Sequence, residues 1–190
     1  MTGADMLTFA RPNRLAPSRW LVCLDLQRDY VVPGRSRYAP AHSAIVRACR
    51  QVLDLARAGG WRVVHSQKRN DDVSLTPRDM FGAPIEGLRP LVTEPVFFRR
   101  GLSAFANPAF AAEMRAARGA DVYLIGFSLA DSCLATALAA VDEGLELTLL
   151  DDAVGAGPEE GVMEAAQSLL RPFVRIQASS MLARDLEVMS

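Results

Sequence analysis

Histidine and cysteine are scarce in this chain: His42 and His65 are the two histidines, and Cys23, Cys49 and Cys133 the three cysteines. Two isolated histidines with no cysteine pair make no zinc constellation, so no metal is expected. An odd number of cysteines without a Cys-x-x-Cys pair argues against a disulfide framework and makes a reducing cytoplasm the expected compartment. Neither sign of charge prevails, with 21 basic against 22 acidic residues and a net charge of −1. Long-range attraction to nucleic acid or to an acidic membrane is therefore not expected. The opening MTGADMLTFARPNRLAPSR lacks an apolar segment of signal-peptide length. No apolar run reaches the roughly 18 residues of a membrane span. No glycine-rich phosphate loop follows the first apolar run, which leads into LDLQRDYVVPG. A dinucleotide is thereby disfavoured, and no cofactor is expected.

What is present is a chain of 190 residues, 50% hydrophobic and 23% charged, suited to one soluble domain with a substantial core. Residues 1–18, with two prolines and mixed polarity, read as an irregular lead-in, and 19–190 as a single domain. Apolar runs alternate with helical patterns. Strands are expected at Trp20–Leu26, Trp61–His65, Val96–Arg99, Asp121–Gly126, Leu145–Leu150 and about Phe173–Ile176. Helices are expected at Ala41–Ala58, for about ten residues from Asn107-Pro108, at Asp131–Glu143, at about Glu159–Leu170 and at Ser180–Val188. Alternation of this kind predicts an α/β fold, a doubly wound, Rossmann-like six-stranded parallel sheet with helices on both faces. Ser66–Glu94 is a long, weakly patterned connection, a length that usually serves function.

In such a sheet ligands gather at the carboxyl ends of the strands, where strand order switches. Three strand ends carry chemistry there: Asp25 after the first, Arg99 at the third, and Ser132 on the helix that follows the fourth. A carboxylate, a cation and a hydroxyl would converge on one crevice. The helix start would add free backbone N–H groups able to hold an oxyanion. Gln27, Tyr30, Phe105 and Phe127 flank these positions as candidate lining of a small, partly aromatic pocket. The bland alternative for Phe105 is packing, and for His65 a strand-end or core position.

These segments bring a family into view. LDLQRDY at Leu24–Tyr30, RRGLSAF at Arg99–Phe105 and GFSLADSCLATALAAVDEG at Gly126–Gly144, followed by Asp152-Ala153, resemble the motifs of the isochorismatase-like hydrolases. They stand in that family's order and spacing over about residues 20–176. The resemblance implies hydrolysis of small amides, ureides or, in one branch, a vinyl ether. In the amide-cleaving branch it implies a cysteine nucleophile activated by an Asp–Lys pair. It also implies a small-molecule substrate and a homo-oligomer.

Two positions depart from that pattern. Arg99 stands four residues before Ser103, where the family has Lys. Ser132, six residues after Gly126 and four before Thr136, stands where it has Cys. Cys133 is one residue away, and on a helix neighbouring side chains point about 100° apart. It is therefore read as a packing residue. A serine hydroxyl is far harder to ionise than a thiol and needs a base during attack. Arg99 cannot exchange protons at neutral pH. Two readings stay open: a hydrolase using Asp25 as acid/base, Arg99 as its electrostatic partner and Ser132 as nucleophile or water-positioning group, or a catalytically degenerate ligand-binding or assembly subunit.

Overall fold

A computed structural model describes residues 18–69, 82–157, 159 and 161–182. Most of the expected lead-in, the acidic pair Asp71-Asp72 and the end of the last helical stretch lie outside the described residues. In chain order the elements are β1 (Arg19–Leu24), α1 (His42–Ala58), β2 (Arg62–Lys68), β3 (Val96–Arg99), α2 (Pro108–Met114) and β4 (Asp121–Phe127). They continue with α3 (Leu134–Asp142), β5 (Glu146–Gly155), α4 (Val162–Leu170) and β6 (Arg175–Gln177). The six strands form one parallel sheet in the order β3-β2-β1-β4-β5-β6. Strand order reverses between β1 and β4, so the crevice of a doubly wound sheet falls where Leu24 pairs with Gly126.

Alternation along β1 sends its side chains to two separate cores. Trp20, Val22 and Leu24 join a cluster that contains residues of α2, α3 and α4, whereas Leu21 and Cys23 join a second cluster with α1. In α1 the residues Cys49, Val52, Leu53 and Ala56 are buried, the i, i+3, i+4, i+7 stripe of an amphipathic helix. Its stop is Gly59, followed by Gly60 at φ 66°. Helix α2 starts where the Asn107 side chain accepts hydrogen bonds from the Ala109 and Phe110 N–H groups, with Pro108 in the first turn. It delivers Phe110 into full burial, edge-on to Phe97 and Phe105. Burial of one such ring is worth about 2–3 kcal/mol.

Several boundaries differ from the sequence reading, each for a local reason. β1 stops at Leu24 because Asp25 turns to a φ of 46°. β2 runs beyond His65 to Lys68 because β3 pairs with it from His65 onward. β5 continues through Gly155 although its apolar run breaks at Asp151-Asp152. The register against β4 jumps from Leu124↔Leu149 to Gly126↔Val154, so the acidic pair is accommodated in an irregularity and pairing then resumes. The helix after β4 opens with a wide π-helical turn, Leu129–Cys133, before α3 begins. Gly126 allows β4 to lie this close to β1: its φ is 125°, and a Cβ there would sit 1.9 Å from the Leu24 carbonyl oxygen.

Candidate functional site

The ends of β1 and β3 deliver the first two predicted residues to one point. Arg99 and Asp25 form a two-pronged ion pair, Nη1 to Oδ1 at 2.9 Å and Nη2 to Oδ2 at 2.7 Å. Both side chains are 0% exposed. The Lys68 N–H donates to Oδ1 at 2.7 Å. The other Arg99 donors reach Ser66 Oγ at 3.2 Å and the Leu102 carbonyl at 3.1 Å. The guanidinium is thus held by three elements. Among the described residues Asp25 accepts three hydrogen bonds, and a carboxylate offers about four lone-pair sites. One site, on Oδ2, remains.

Ser132 lies in the π turn after β4, fully buried, and its Oγ has no hydrogen-bond partner among the described residues. Cys133 is also fully buried, packed in the core cluster with Leu24, Ala104 and Phe110. Burial, then the nearby Asp25 and Asp131 carboxylates, push its thiol up, against a smaller pull from Arg99. Cys133 is therefore poorly suited to be a thiolate nucleophile. These influences also place the π turn within electrostatic reach of the Asp25–Arg99 pair.

Three backbone donors at this helix start are engaged. The Ser132 N–H donates to the Asp131 carboxylate. The Cys133 and Asp131 N–H groups both donate to the Ser128 carbonyl, at 2.9 and 3.3 Å. The wide turn itself supplies these acceptors, so an oxyanion held by any of these three would have to displace one of them.

The four expected lining residues do not form one wall. Tyr30 stacks on Phe127, with ring centroids 4.8 Å apart, in the α1-side core. Phe105 packs against the opposite core. Phe127 is fully buried, and Phe105 takes the packing role that was its alternative. Gln27 donates to the Lys68 and Gly82 carbonyls at 3.2 and 3.0 Å and so ties two strand-end segments together. Tyr30 keeps a polar contact, accepting from Arg37 Nη1 at 2.7 Å. Arg37 also faces Asp131 at 3.4 Å and Asp29 at 3.6 Å. Burial and then Asp25 raise the Tyr30 phenol above its ordinary range, with Arg37 opposing.

Arg37 and Asp131 were not among the predicted residues. The signal available was an arginine in RSRY and an aspartate beside Ser132, too common to select on. A second buried cluster was also missed. Glu94 receives Arg57 at 2.8 and 2.9 Å, His65 at 2.9 Å and the Leu91 N–H at 2.9 Å. Burial opposes ionisation of Glu94, but the Arg57, His65 and Leu91 hydrogen bonds together hold it well below the usual carboxylate range. An open cavity of about 640 Å³ lies beside Glu94, lined also by Arg28, Arg89 and Leu91, and does not include Asp25, Arg99 or Ser132. Among the described residues no three His, Cys, Asp or Glu side chains converge as metal ligands, and no helix is long and apolar enough to cross a membrane.

The pair at the switch point and the hydroxyl on the following turn now have a family context. The Isochorismatase domain model matches residues 19–180. The chain belongs to the isochorismatase family. Its fold is shared with an isochorismatase-like hydrolase from Alkaliphilus metalliredigens, 18% identical, with a TM-score of 0.76, covering 88% of this chain and 98% of that one. A cysteine hydrolase from Pseudomonas syringae is 18% identical, TM-score 0.75, covering 91% and 94%. A nicotinamidase/pyrazinamidase from Bacillus subtilis is 17% identical, TM-score 0.72, covering 84% and 98%. Identities this low establish the fold alone. No curated protein matches the chain.

Proposed function

We propose that this isochorismatase-family chain is a small-molecule hydrolase whose chemistry runs through Asp25 and not through an acyl-enzyme on residue 132. The observation that supports it is the state of Asp25. It is fully buried at the sheet's switch point, carries a positive φ of 46°, and is clamped by Arg99 with one acceptor site left over. A buried ion pair is a poor way to gain stability, and a non-glycine residue in the left-handed region adds local strain. Neither feature is explained by folding, whereas both are expected of a positioned acid/base group. In this reading, with an amide or ureide, Asp25 accepts the proton of an attacking water and returns it to the leaving nitrogen; with a vinyl ether its acid form first protonates the carbon, and the carboxylate then takes a proton from the water that adds to the resulting cation. Arg99 keeps the carboxylate aligned and exchanges no proton. Ser132 offers its unpartnered hydroxyl as a polar contact for water or substrate.

The test is turnover of a panel of small amides, ureides and vinyl ethers by wild type, Asp25→Asn and Ser132→Ala. Asp25→Asn is expected to lose at least about 100-fold, the range of a general acid/base. Ser132→Ala should stay within about tenfold, since no attack by this hydroxyl is invoked. Equal turnover by Asp25→Asn and wild type would overturn the proposal. A Ser132→Ala loss as large as that of Asp25→Asn would instead point to a covalent route.

The second reading, a ligand-binding or assembly subunit without catalysis, is favoured by one observation: the N–H groups of Asp131, Ser132 and Cys133 are already engaged. Tight ligand binding with no turnover of any substrate class would select it.

A further inference from the structure

His42 opens α1 and is buried, yet both of its ring nitrogens face a main-chain carbonyl. Nδ1 lies 2.8 Å from the Tyr30 oxygen and Nε2 lies 3.1 Å from the Ala156 oxygen. A neutral imidazole has one N–H and one lone pair, so it donates to one carbonyl while its lone pair confronts the other. Both contacts are hydrogen bonds only when the ring carries two protons. The backbone makes room for this ring. A Cβ at Gly155 would stand 3.2 Å from His42 Cδ2 and 2.3 Å from Phe127 Cε1, and the His42 and Phe127 ring centroids are 4.8 Å apart.

The two carbonyls belong to different parts of the candidate site. The Tyr30 N–H donates to the Gln27 carbonyl, and the Gln27 N–H in turn donates to the Asp25 carbonyl. Ala156 follows Gly155, which pairs with Phe127 at the end of β4. Next comes Ser128, whose carbonyl anchors the turn that bears Ser132. His42 thus bridges the exit of β1 and the exits of β4 and β5.

We propose that His42 is a positioning residue whose second ring proton ties the exit of β1, which carries Asp25, to the exit of β5. With that proton both carbonyls are held. Without it the ring keeps Tyr30, the shorter and fully buried contact, and releases Ala156, whose contact is only part-buried. Releasing the carbonyl that water can reach costs less than stranding the buried one. The tie therefore closes as pH falls and opens as pH rises. Among the described residues the ring has no other hydrogen-bond partner. The titratable groups on the strand ends around it are Tyr30 with Asp29 and Arg37, Asp131 after β4, Asp151-Asp152 in β5 and Glu159 beyond it. The positive end of α1 and burial act against a charge on the ring, and the two carbonyl dipoles act for it.

The test follows NMR signals of the full chain, labelled with carbon-13 and nitrogen-15, across the pH range in which it stays folded. As pH rises, the His42 ring nitrogens should pass from two protonated to one, with the proton kept on Nδ1. The Ala156 carbonyl carbon should move upfield with the same midpoint as the ring, as expected for loss of a hydrogen bond. The Tyr30 carbonyl carbon should move less. In His42→Gln, which keeps a donor but has no second proton to lose, the Ala156 signal should no longer follow pH. The spectrum of that variant also leaves His65 as the one histidine, which assigns the two rings. If the variant does not fold, the wild-type titration decides by itself. The proposal is overturned if the His42 ring keeps one protonation state throughout, or if the Ala156 carbonyl follows the ring no more than Tyr30 does. It is equally overturned if His42→Gln retains the pH dependence at Ala156. None of these signals requires a substrate, so a negative result leaves the hydrolase reading standing, and absence of turnover leaves the tie standing.

Discussion

Among the described residues two carboxylates lie buried, each clasped by an arginine through two hydrogen bonds, and they serve different ends. Glu94 is held by four hydrogen bonds among the described residues: Arg57 supplies two donors, His65 and the Leu91 N–H one each, three of the four on Oε2. Those donors come from α1, β2 and the segment entering β3, so the cluster staples the sheet's outer half to its helix. Asp25 has three donors among the described residues and a positive φ, and stands where strand order reverses. A carboxylate on ordinary backbone away from the switch point is a staple. One on strained backbone at the switch point is poised for chemistry. Bidentate arginine pairing alone does not separate the two, and backbone and position do.

The largest effect on stability should come from opening the deeper clasp. Arg99→Met leaves Asp25 buried and unpaired at 0% exposure, which is expected to cost about 3–5 kcal/mol. Urea unfolding at neutral pH measures it. A loss below about 1 kcal/mol would mean that water already reaches the pair.

Glu94→Gln should cost less, about 1–3 kcal/mol. Arg57 is 21% exposed and can be rehydrated, whereas Arg99 cannot. The same variant carries a pH signature. Because the folded state holds Glu94 below the ordinary carboxylate range, the unfolded chain binds the proton first as acid is added. The Glu94 contribution is therefore complete above the unfolded value of about 4.3. It is lost as pH falls from there through the lower folded value. Wild type should lose stability more steeply below about pH 4 than Glu94→Gln does, read as the urea midpoint against pH. Parallel curves would break the contrast between staple and site.

The same contrast explains what the chain displayed in advance and what it hid. WLVCLD and VFFRR are short apolar runs closed by a charge, and that local pattern is enough to place Asp25 and Arg99 at strand ends on the same edge of the sheet. The Gly126-to-Thr136 spacing likewise placed Ser132 on the turn after β4. The width of that turn was not legible: a π turn and an α turn take the same residues, and the difference lies in which carbonyl, here that of Ser128, accepts the Cys133 N–H. The extension of β5 was hidden by Asp151-Asp152, which break the apolar pattern while pairing resumes beyond them. Glu94, His65 and Arg57 are far apart in sequence, and no spacing rule links them. Phe105 and Phe127 sit on opposite faces because Phe105 lies in a short helical turn, Ala104–Ala106, packed on Phe110, whereas Phe127 follows the pleat of β4, which proximity to a motif does not reveal.

The smallest predicted effect concerns two buried hydroxyls on the same stretch of chain. Thr136 Oγ1 accepts the Ala104 N–H at 2.9 Å and so closes the Ser-Ala-Phe segment onto α3. Ser132 Oγ is equally buried and has no partner. Thr136→Ala strands a buried donor and should cost about 1–3 kcal/mol. Ser132→Ala removes an unsatisfied group, and should leave stability unchanged or raise it by up to about 1 kcal/mol. Thermal and urea unfolding of the two variants side by side provide the check. If Ser132→Ala destabilises as much as Thr136→Ala, its hydroxyl serves the fold and is not held in reserve for a ligand. If it does not, the chain carries, on the turn after β4, a buried polar group that folding does not use, which a site can employ and a core avoids.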